Sequence, residues 1–433
     1  MIASNQPAVA RPDALTEVDL PVLTDLFDRI RDGLSQEGQL GLVSVTVLQL
    51  RSLDKSEAWH AYDAMVREIS SFLTMFRSRC MRSEDLLFEL SLSGNAFVLL
   101  LAPPRDGRPL GASDLGRVQL RLKRGLKVRL ARALPKDVSD RFGCYVGGAL
   151  MYRDAGVRID RIVFRSLEEA FADALRHKER DARRQASQLR RILEMGLVRT
   201  VYQPVVDVQA CRVVGFEALT RVPKGQFETV DLLFKAAQDN DVLWNLERLC
   251  RRKAIESLPR MAPNQLLFMN FEPGSIDDPT LTDSTFLSSL GAAGLCPGQI
   301  VLEMTEHSAV RDFAAFRNTL HRFRSLGFRL AMDDVGSGYS GLQAIAEIAP
   351  DFIKIDMTLV RDLHQNAIKR ELIATILRFT ESTGITLIAE GVEQPEELES
   401  LVKVGVRCAQ GYLFARPGDP PGTPDWSTLV RRF

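Results

Sequence analysis

The chain has 433 residues, a length that suggests about two or three domains of ordinary size. Hydrophobic residues make up 45% of it and charged residues 26%, a globular composition that excludes a disordered chain. Lys and Arg together number 56, as do Asp and Glu, so the net charge of zero argues against a protein that coats DNA through a general positive field.

The sequence shows neither a membrane span nor a secretion signal. Its longest apolar stretches, such as residues 96–102, are far shorter than the ~20 residues that a transmembrane helix needs. The amino terminus lacks a basic head followed by an apolar segment. The 6 cysteines are scattered without a Cys-x-x-Cys pair, so we expect them to be reduced packing residues. These features predict a cytoplasmic protein.

In chain order, residues 1–38 are predicted to form a polar tail and one amphipathic helix. Residues 39–165 then alternate between strand and helix patterns, with a Ser93-Gly94-Asn95 turn inside a hairpin. The predicted strands cover residues 43–48, 86–92, 96–101 and 144–151, and the predicted helices cover residues 56–79 and 115–134. This β-α-β-β-α-β order predicts a ferredoxin-like α/β sandwich.

Residues 166–196 have the pattern of a charged linker helix. Within this segment a small or apolar residue recurs at spacings of four, three and four residues, at Ala182, Ala186, Leu189 and Leu193. The repeat is shorter than the roughly three or four heptads that identify a coiled coil. It fits either a helix packed on its own chain, which we favour, or a short seam between two chains.

Residues 197–433 contain eight short apolar runs, each followed by a polar residue, and helical segments separate most of them. The runs cover residues 201–202, 213–216, 266–269, 300–302, 328–332, 352–353, 385–389 and 406–409. Buried strands that alternate with helices indicate a parallel sheet, and eight such units close into a (β/α)8 barrel of the TIM type. The polar residues would then gather at one rim of that barrel.

Acidic and amide side chains dominate the predicted rim. They are Glu217, Asn270, Glu303, Asp333, Asp334 and Glu390. Carboxylates placed this close repel one another strongly unless cations neutralise them, and all-oxygen ligands favour Mg²⁺ or Mn²⁺ over zinc. The adjacent acids Asp333 and Asp334 suit two ions, with the first residue bridging both. Such a pair of ions activates water for attack on a phosphodiester.

Lys354 follows the sixth run and is the lone cation predicted at the rim. It could orient or help deprotonate the attacking water and offset charge on the phosphoryl oxygens. It could equally be a structural counter-ion for Asp333 or Asp356. The sequence leaves both interpretations open.

Several short motifs connect these residues with a known family. Glu217-Ala218-Leu219, followed by Arg221, has further motifs in order around it. These are Tyr202-Gln203-Pro204, Asn270, Glu303-Met304-Thr305-Glu306, Asp333-Asp334-Val335-Gly336-Ser337-Gly338-Tyr339, Lys354-Ile355-Asp356, Ala389-Glu390-Gly391-Val392-Glu393 and Gln410-Gly411-Tyr412. Over about residues 190–420 the chain therefore resembles the EAL-domain cyclic di-GMP phosphodiesterases. The resemblance implies hydrolysis of one phosphodiester bond of cyclic di-GMP to give linear pGpG.

The resemblance also implies roles for individual residues. The first metal would be bound by Glu217, Asn270, Glu303 and Asp333, and the second by Asp333, Asp334 and Glu390. The catalytic group would comprise Glu217, Lys354, Glu306 and Glu393. In it, Lys354 would contact the catalytic water and Glu306 would hold the Gly336-Ser337-Gly338 loop. The substrate would be contacted by Gln203, Arg221, Asp356 and Gln410. Val335 stands where the family usually has Phe, and Met304 where Leu or Ile is common, but neither departure removes a ligand.

The first half resembles a GGDEF domain that has lost its signature. The hairpin tip reads Ser93-Gly94-Asn95-Ala96-Phe97, so Asn95-Ala96 replaces the acidic pair, and Leu48-Gln49-Leu50 lacks the metal-binding Asp of the cyclases. The resemblance implies a domain that does not make cyclic di-GMP and regulates the barrel. An Arg-x-x-Asp pattern at Arg82 to Asp85 lies further from the tip than the family's inhibitory product site does, so we assign it no such role.

Two functions are consistent with these features. The first is a phosphodiesterase that uses two Mg²⁺ or Mn²⁺ ions, and the alternative is a cyclic di-GMP receptor that signals through a protein partner without hydrolysis. Receptors of this family typically lose metal-binding carboxylates, whereas every one is present here, so we favour the enzyme. The expected partners are cyclic di-GMP and a second copy of the chain. The two copies would contact each other through the barrel, and the linker helix is a further candidate contact between them. No DNA partner is expected.

Overall fold

The computed structural model describes residues 20–49, 55–90, 96–134, 142–272, 275, 278–305, 313–336, 345, 347–424 and 426. The chain divides into two compact units, with the boundary between Arg184 and Gln185. None of the helices in these described ranges is long and apolar enough to cross a lipid bilayer.

The amino-terminal unit contains a four-stranded sheet. Its elements are α1 (Leu23–Glu37), β1 (Gln39–Gln49), α2 (Lys55–Cys80), β2 (Leu86–Leu90), β3 (Ala96–Leu101), α3 (Ala112–Ala133), β4 (Phe142–Tyr152) and the first part of α4 (Ile159–Met195). The strand order is β2-β3-β1-β4, and each neighbouring pair is antiparallel. The predicted ferredoxin-like sandwich is therefore confirmed. The hairpin tip Ser93-Gly94-Asn95 lies outside the described residues.

Alternation along β1 explains why helices cover both faces of this sheet. Val43 and Val45 point to one face and pack in a core with apolar residues of α2 and α3. Leu40 and Leu42 point to the other face and pack with α1 and the first part of α4. The buried positions of α1 recur at helical spacing, at Leu23, Leu26, Ile30 and Leu34. The sheet is thus enclosed between two layers of helices.

Helix α4 contains the predicted charged linker segment and begins earlier than predicted, at Ile159. Ala170 packs in a core of the amino-terminal unit. Leu189 and Ile192 pack in a core of the carboxyl-terminal unit. Ala182, the first residue of the predicted repeat, is exposed. The buried end of the repeat therefore packs on its own chain within the carboxyl-terminal unit.

The carboxyl-terminal unit is a closed barrel of eight strands. The strands are β5 (Arg199–Asp207), β6 (Arg212–Arg221), β7 (Leu266–Asn270), β8 (Ile300–Thr305), β9 (Arg329–Val335), β10 (Phe352–Ile355), β11 (Thr386–Ala389) and β12 (Cys408–Ala409). The helices are α5 (Val230–Asp239), α6 (Leu243–Glu256), α7 (Ser284–Ala292), α8 (Phe313–Ser325), α9 (Met357–Val360), α10 (Ala367–Thr383) and α11 (Pro395–Val404). Each predicted apolar run overlaps one strand, so the predicted barrel is confirmed.

One strand departs from the all-parallel sheet that the sequence predicted. β5 is antiparallel to both of its neighbours, β6 and β12, whereas the other neighbouring pairs of the barrel are parallel. The reason is the length of the connection, since only residues 208–211 separate β5 from β6. A parallel pair needs a crossover of about a dozen residues or more, while so short a connection can only form a hairpin.

The interior of the barrel is filled with apolar side chains. Phe268, Val301, Ala331, Phe352 and Ile388 belong to one buried cluster. The rings of Phe268 and Phe352 meet edge to face, with centroids 5.4 Å apart. This packed interior fixes the strands relative to one another, so that the residues at their carboxyl-terminal ends have defined positions.

Candidate metal and active site

The barrel strands carry most of the predicted polar residues to one rim. The set comprises Glu217 in β6, Asn270 at the end of β7, Glu303 in β8, Asp333 and Asp334 in β9, Lys354 in β10, and Glu390 and Gln410 directly after β11 and β12. The pairing register places Asn270 beside Glu303 and Gln203 beside Glu217. Glu217 lies inside β6, which continues to Arg221.

Lys354 is the centre of the cluster. Its Nζ lies 2.6 Å from Glu390 Oε1, 2.8 Å from Glu303 Oε1, 3.4 Å from Asp333 Oδ1 and 3.5 Å from Glu217 Oε2. The side chain is fully buried. Burial alone would lower the pKa of Lys354, but the surrounding carboxylates raise this pKa well above its usual value. Lys354 is therefore a charged ammonium at neutral pH.

Glu303 and Glu390 show the effect of crowding most clearly. Burial raises the pKa of each carboxyl group well above its usual range, and neighbouring acids add to the increase, although Lys354 opposes it. Both carboxylate oxygens of Glu303 are buried, and the close contact with Lys354 lacks hydrogen-bond geometry. Apart from this ion pair with Lys354, neither oxygen has a partner among the described residues.

Glu217 differs from these two acids because it is well supplied with donors. Asn270 Nδ2 donates to Glu217 Oε1 at 3.2 Å, and Gln410 Nε2 donates to Glu217 Oε2 at 2.5 Å. Burial would raise the pKa of Glu217, but Lys354 and the two amide donors hold the pKa below its usual value. Glu217 is therefore an ionised carboxylate, and the amide oxygen of Asn270 is the atom with which Asn270 can bind a cation.

Three carboxylates form a candidate cation site beside Lys354. Ligand oxygens of Asp333, Asp334 and Glu390 all lie within 4.8 Å of one another. Asp334 has a left-handed φ of 58°, and its backbone N–H donates to Asp333 Oδ1 at 3.0 Å. Burial, followed by the charges of Asp333 and Asp356, raises the pKa of Asp334 to about 6. Backbone strain and crowded acids in one place are typical of a functional site.

Two glutamines, Gln203 in β5 and Gln410 directly after β12, form hydrogen bonds beside Glu217. Gln410 Nε2 also lies 3.2 Å from Gln203 Oε1, and Gln203 Nε2 donates to the carbonyl oxygen of Ala415 at 3.1 Å. A Cβ atom on Gly411 would lie 2.1 Å from the carbonyl oxygen of Val392, so only glycine fits after Gln410. The position of Gln410 is therefore set by close backbone packing.

The remaining predicted residues make other contacts. Arg221 donates to the carbonyl oxygen of Thr220. Asp356 is the N-cap of α9, where its side chain accepts the backbone N–H of Thr358. Glu393 Oε2 lies 2.8 Å from Arg361 Nη1 at an exposed position. Among the described contacts, none joins Arg221 or Glu393 to the cluster around Lys354. Glu306 and the loop residues 337–338 lie outside the described part of the chain.

The Arg-x-x-Asp pattern of the amino-terminal unit has an internal role. Asp85 Oδ1 accepts the backbone N–H of Ala102 at 2.9 Å, and Asp85 Oδ2 accepts that of Arg82 at 2.9 Å. The Arg82 guanidinium donates to the carbonyl oxygens of Ala102 and Pro103. These contacts brace the turn before β2 against the end of β3.

Sequence reasoning missed a buried ionic chain. Arg251 of α6 lies 2.9 Å from Glu247 on the same helix and 2.8 Å from Asp278, which follows β7. The spacing of Glu247 and Arg251 indicates a possible pair on one helical face, and this signal was present in the sequence. The sequence does not show that the pair is buried, because charged pairs at this spacing are usually solvent-exposed.

The opposite end of the barrel holds a cavity of about 670 Å³. Its lining includes Arg212, Arg329 and Arg407, together with the buried Asp207, which lies 3.3 Å from Arg407. None of the carboxylates around Lys354 lines this cavity. The candidate chemistry is therefore at the rim and not in the cavity.

The barrel and its rim lie in the part of the chain that is similar to known proteins. The EAL domain family model matches residues 186–417. The cyclic di-GMP phosphodiesterase RocR of Pseudomonas aeruginosa is 31% identical over 239 residues, which cover 52% of this chain and 58% of RocR. An uncharacterised signalling protein of Caulobacter vibrioides is 30% identical over 350 residues, which cover 78% of this chain and 40% of that protein.

A solved structure shares the fold of the barrel. The FimX EAL domain of Xanthomonas citri, determined in complex with cyclic di-GMP, has a TM-score of 0.51 and 23% sequence identity. The match covers 56% of this chain and 96% of that domain. The family match begins at residue 186 and leaves the amino-terminal unit outside it.

Proposed function

This chain belongs to the EAL-domain family, and we propose that it hydrolyses one phosphodiester bond of cyclic di-GMP to give linear pGpG. The similarity to RocR, whose name states a cyclic di-GMP phosphodiesterase, supports the choice of substrate. The observation that carries the proposal is the group of buried carboxylates around Lys354. Four acidic side chains around one ammonium are a costly structural feature, because burial opposes the ionisation of two of them, as the raised pKa values of Glu303 and Glu390 indicate.

Two divalent cations are the cofactors that fit this rim. The donor atoms are all oxygens, which favours Mg²⁺ or Mn²⁺. The buried oxygens of Glu303, whose partner among the described residues is Lys354, would gain a further partner in a cation. We assign Glu217, Asn270, Glu303 and Asp333 to one ion, and Asp333, Asp334 and Glu390 to the other. When bound, such ions lower the pKa of a bound water and neutralise charge on the phosphoryl group.

Lys354 would orient the attacking water. In the protein without metal, the surrounding carboxylates raise the pKa of its ammonium group, so the group is a hydrogen-bond donor there. A fixed donor among the metal ligands can hold a water oxygen or a phosphoryl oxygen without reorganisation during the reaction. The same contacts make Lys354 the counter-ion of the cluster in the protein without metal.

We assign binding of the dinucleotide to residues around the cluster. Gln203 and Gln410 lie beside Glu217, and Arg221 ends β6 with a guanidinium group that suits phosphate or a guanine edge. Asp356 lies close enough to Asp334 to raise its pKa. Following the family pattern, Glu393 and Glu306 would complete the catalytic group.

The amino-terminal unit would be a degenerate GGDEF-like domain that regulates the barrel. Its ferredoxin-like strand order supports this assignment, as does the replacement of the acidic pair by Asn95-Ala96. The pair Asn95-Ala96 supplies no carboxylate to a metal ion. Incubation with GTP and Mg²⁺ should yield no cyclic di-GMP, and formation of that product would contradict the assignment.

The functional unit would be a homodimer formed through the barrel. Helix α10 exposes Ile368, Leu372 and Phe379 at a spacing that places them on one face. Apolar side chains grouped in this way are typical of surfaces that bind another protein. Light scattering should give the mass of a dimer, and the double substitution Ile368→Asp and Leu372→Asp should give that of a monomer. A monomeric unaltered protein would exclude this part of the proposal.

The main proposal is tested by incubating the purified protein with cyclic di-GMP and Mg²⁺ or Mn²⁺, with and without a chelator, and separating the nucleotides. We expect pGpG with metal and none with chelator. Glu217→Ala should abolish turnover, whereas Glu256→Ala, at a half-exposed position on α6, should preserve it. Binding of cyclic di-GMP without hydrolysis at either metal would instead identify a receptor, and absence of both would refute the proposal.

A further inference from the structure

Helix α6 carries a chain of buried ionic contacts that the proposed reaction does not use. Arg251 Nη1 lies 2.9 Å from Glu247 Oε2, and Arg251 Nη2 lies 2.8 Å from Asp278 Oδ2. The three side chains are 7%, 4% and 0% exposed, respectively. Arg248 adds a second cation, with Nη2 2.6 Å from Asp278 Oδ1. Charged groups are seldom buried this deeply unless each has a partner.

This ionic chain holds the segment that follows Asn270 at both ends. Glu247 Oε1 accepts a hydrogen bond from the backbone N–H of Glu272 at 2.7 Å. Asp278 Oδ1 accepts one from the backbone N–H of Thr280 at 3.0 Å. Helix α6 therefore fixes where the chain leaves β7 and where it enters the next turn.

The contact with Glu272 is close to the candidate metal site along the chain. The backbone N–H of Phe271 donates to the carbonyl oxygen of Glu303 at 2.8 Å, which extends the pairing of β7 with β8. The backbone that carries Asn270 is thus held by β8 on one side and by Glu247 on the other. Its path determines where the Asn270 amide lies, and that amide already contacts Glu217 at 3.2 Å.

We propose that Glu247 is a positioning residue that holds Asn270 in place for binding of a divalent cation. This inference rests on the proposed function, because it assumes that Asn270 is a metal ligand. Taking Glu247 and Arg251 out of water is unfavourable, so the pair is a poor source of stability by itself. Glu247 does, however, fix the backbone N–H of Glu272, which lies just beyond Asn270 and Phe271 in the chain. Groups that orient metal ligands typically contribute about 10- to 100-fold to metal affinity or activity.

A purely structural role for Glu247 has a different consequence. It would lower the free energy of unfolding without changing the metal affinity of the folded protein. Glu247→Ala removes the contacts with Glu272 and Arg251, whereas Glu247→Gln keeps an oxygen that can accept the Glu272 N–H. Glu256→Gln is the matched control, because Glu256 lies on the same helix and pairs with Lys253 at 3.0 Å at a half-exposed position.

The experiment is a calorimetric titration of the full chain with Mn²⁺ in the absence of nucleotide. Circular dichroism first verifies that each variant is folded. We expect Glu247→Ala to weaken the Mn²⁺ affinity about tenfold, Glu247→Gln to weaken it less, and Glu256→Gln to leave it unchanged. Turnover of cyclic di-GMP should show the same order in the Mn²⁺ concentration at half-maximal rate, with the rate at saturating Mn²⁺ largely retained.

A double-mutant cycle tests whether Glu247 acts through Asn270. In an Asn270→Ala background, Glu247→Ala should have no further effect on Mn²⁺ affinity. An equal loss in both backgrounds, or unchanged affinity in all Glu247 variants, would overturn the inference while leaving the proposed function intact. If the unaltered protein bound no Mn²⁺ at all, the proposed metal site would fail and this inference with it.

Discussion

Among the described residues, Lys354 supplies the only ammonium within a group of four carboxylates, and Lys354→Met removes it. The four contacts range from 2.6 to 3.5 Å. At an effective dielectric constant of about 20, each pair at such a distance is worth on the order of 5 kcal/mol before opposing effects. Desolvation of the ions and repulsion among the carboxylates oppose this gain. We therefore expect Lys354→Met to lower the free energy of unfolding by about 3–5 kcal/mol, the usual cost of breaking a buried ion pair.

Urea unfolding in the presence of a chelator measures this loss. Lys403→Met is the matched control, because Lys403 is exposed in the last turn of α11. Excess Mn²⁺ should recover part of the stability of Lys354→Met, since cations can neutralise the acids that the ammonium no longer balances. Equal unfolding midpoints for the two variants in chelator would refute the electrostatic reasoning. A loss that Mn²⁺ does not reduce would refute the assignment of the carboxylates as ligands.

Three further measurements test the described structure. Burial would raise the pKa of Asp278, but its arginine contacts hold this pKa below its usual value, so these contacts contribute stability above about pH 4 that is lost at lower pH. Lowering the pH from about 5 to about 3 should therefore reduce the free energy of unfolding, measured in urea, more in the unaltered protein than in Asp278→Asn. A small maleimide near neutral pH should label exposed Cys296 before Cys408, whose pKa burial raises to about 11, and equal rates would contradict the burial of Cys408. Gly411→Ala should lower the free energy of unfolding by about 1–3 kcal/mol through its backbone clash, whereas Gly291→Ala, whose Cβ would meet nothing within 4 Å, should not.

The barrel was predictable because its strands are buried on both faces. Runs such as residues 266–269 and 300–302 have no polar residue until the strand reaches the rim, so pattern alone identifies them. Strand direction is not encoded in such a run. The prediction that β5 is parallel was wrong, because the apolar runs show where strands lie but the short connection of residues 208–211 decides their direction.

The candidate site was predictable to the level of residue type but not of contacts. The motifs identify Glu217, Glu303 and Lys354, but the sequence does not indicate that one ammonium contacts four carboxylates. That contact depends on strand register and side-chain length in three dimensions. Glu247 was missed for a related reason, since a charged residue on an amphipathic helix gives no sequence signal of whether it faces solvent or the protein interior.

The reversed direction of β5 decides where the chain enters the barrel. In a barrel with only parallel strands, the preceding helix would deliver the chain to the end remote from the acids. Here Arg199, the first residue of β5, pairs with Arg221, the last residue of β6, at the rim where nucleotide would bind. Only a few residues separate that point from Met195, where α4 ends. A displacement of this helix end would therefore reach the rim that holds the acids first, without having to travel through the packed interior.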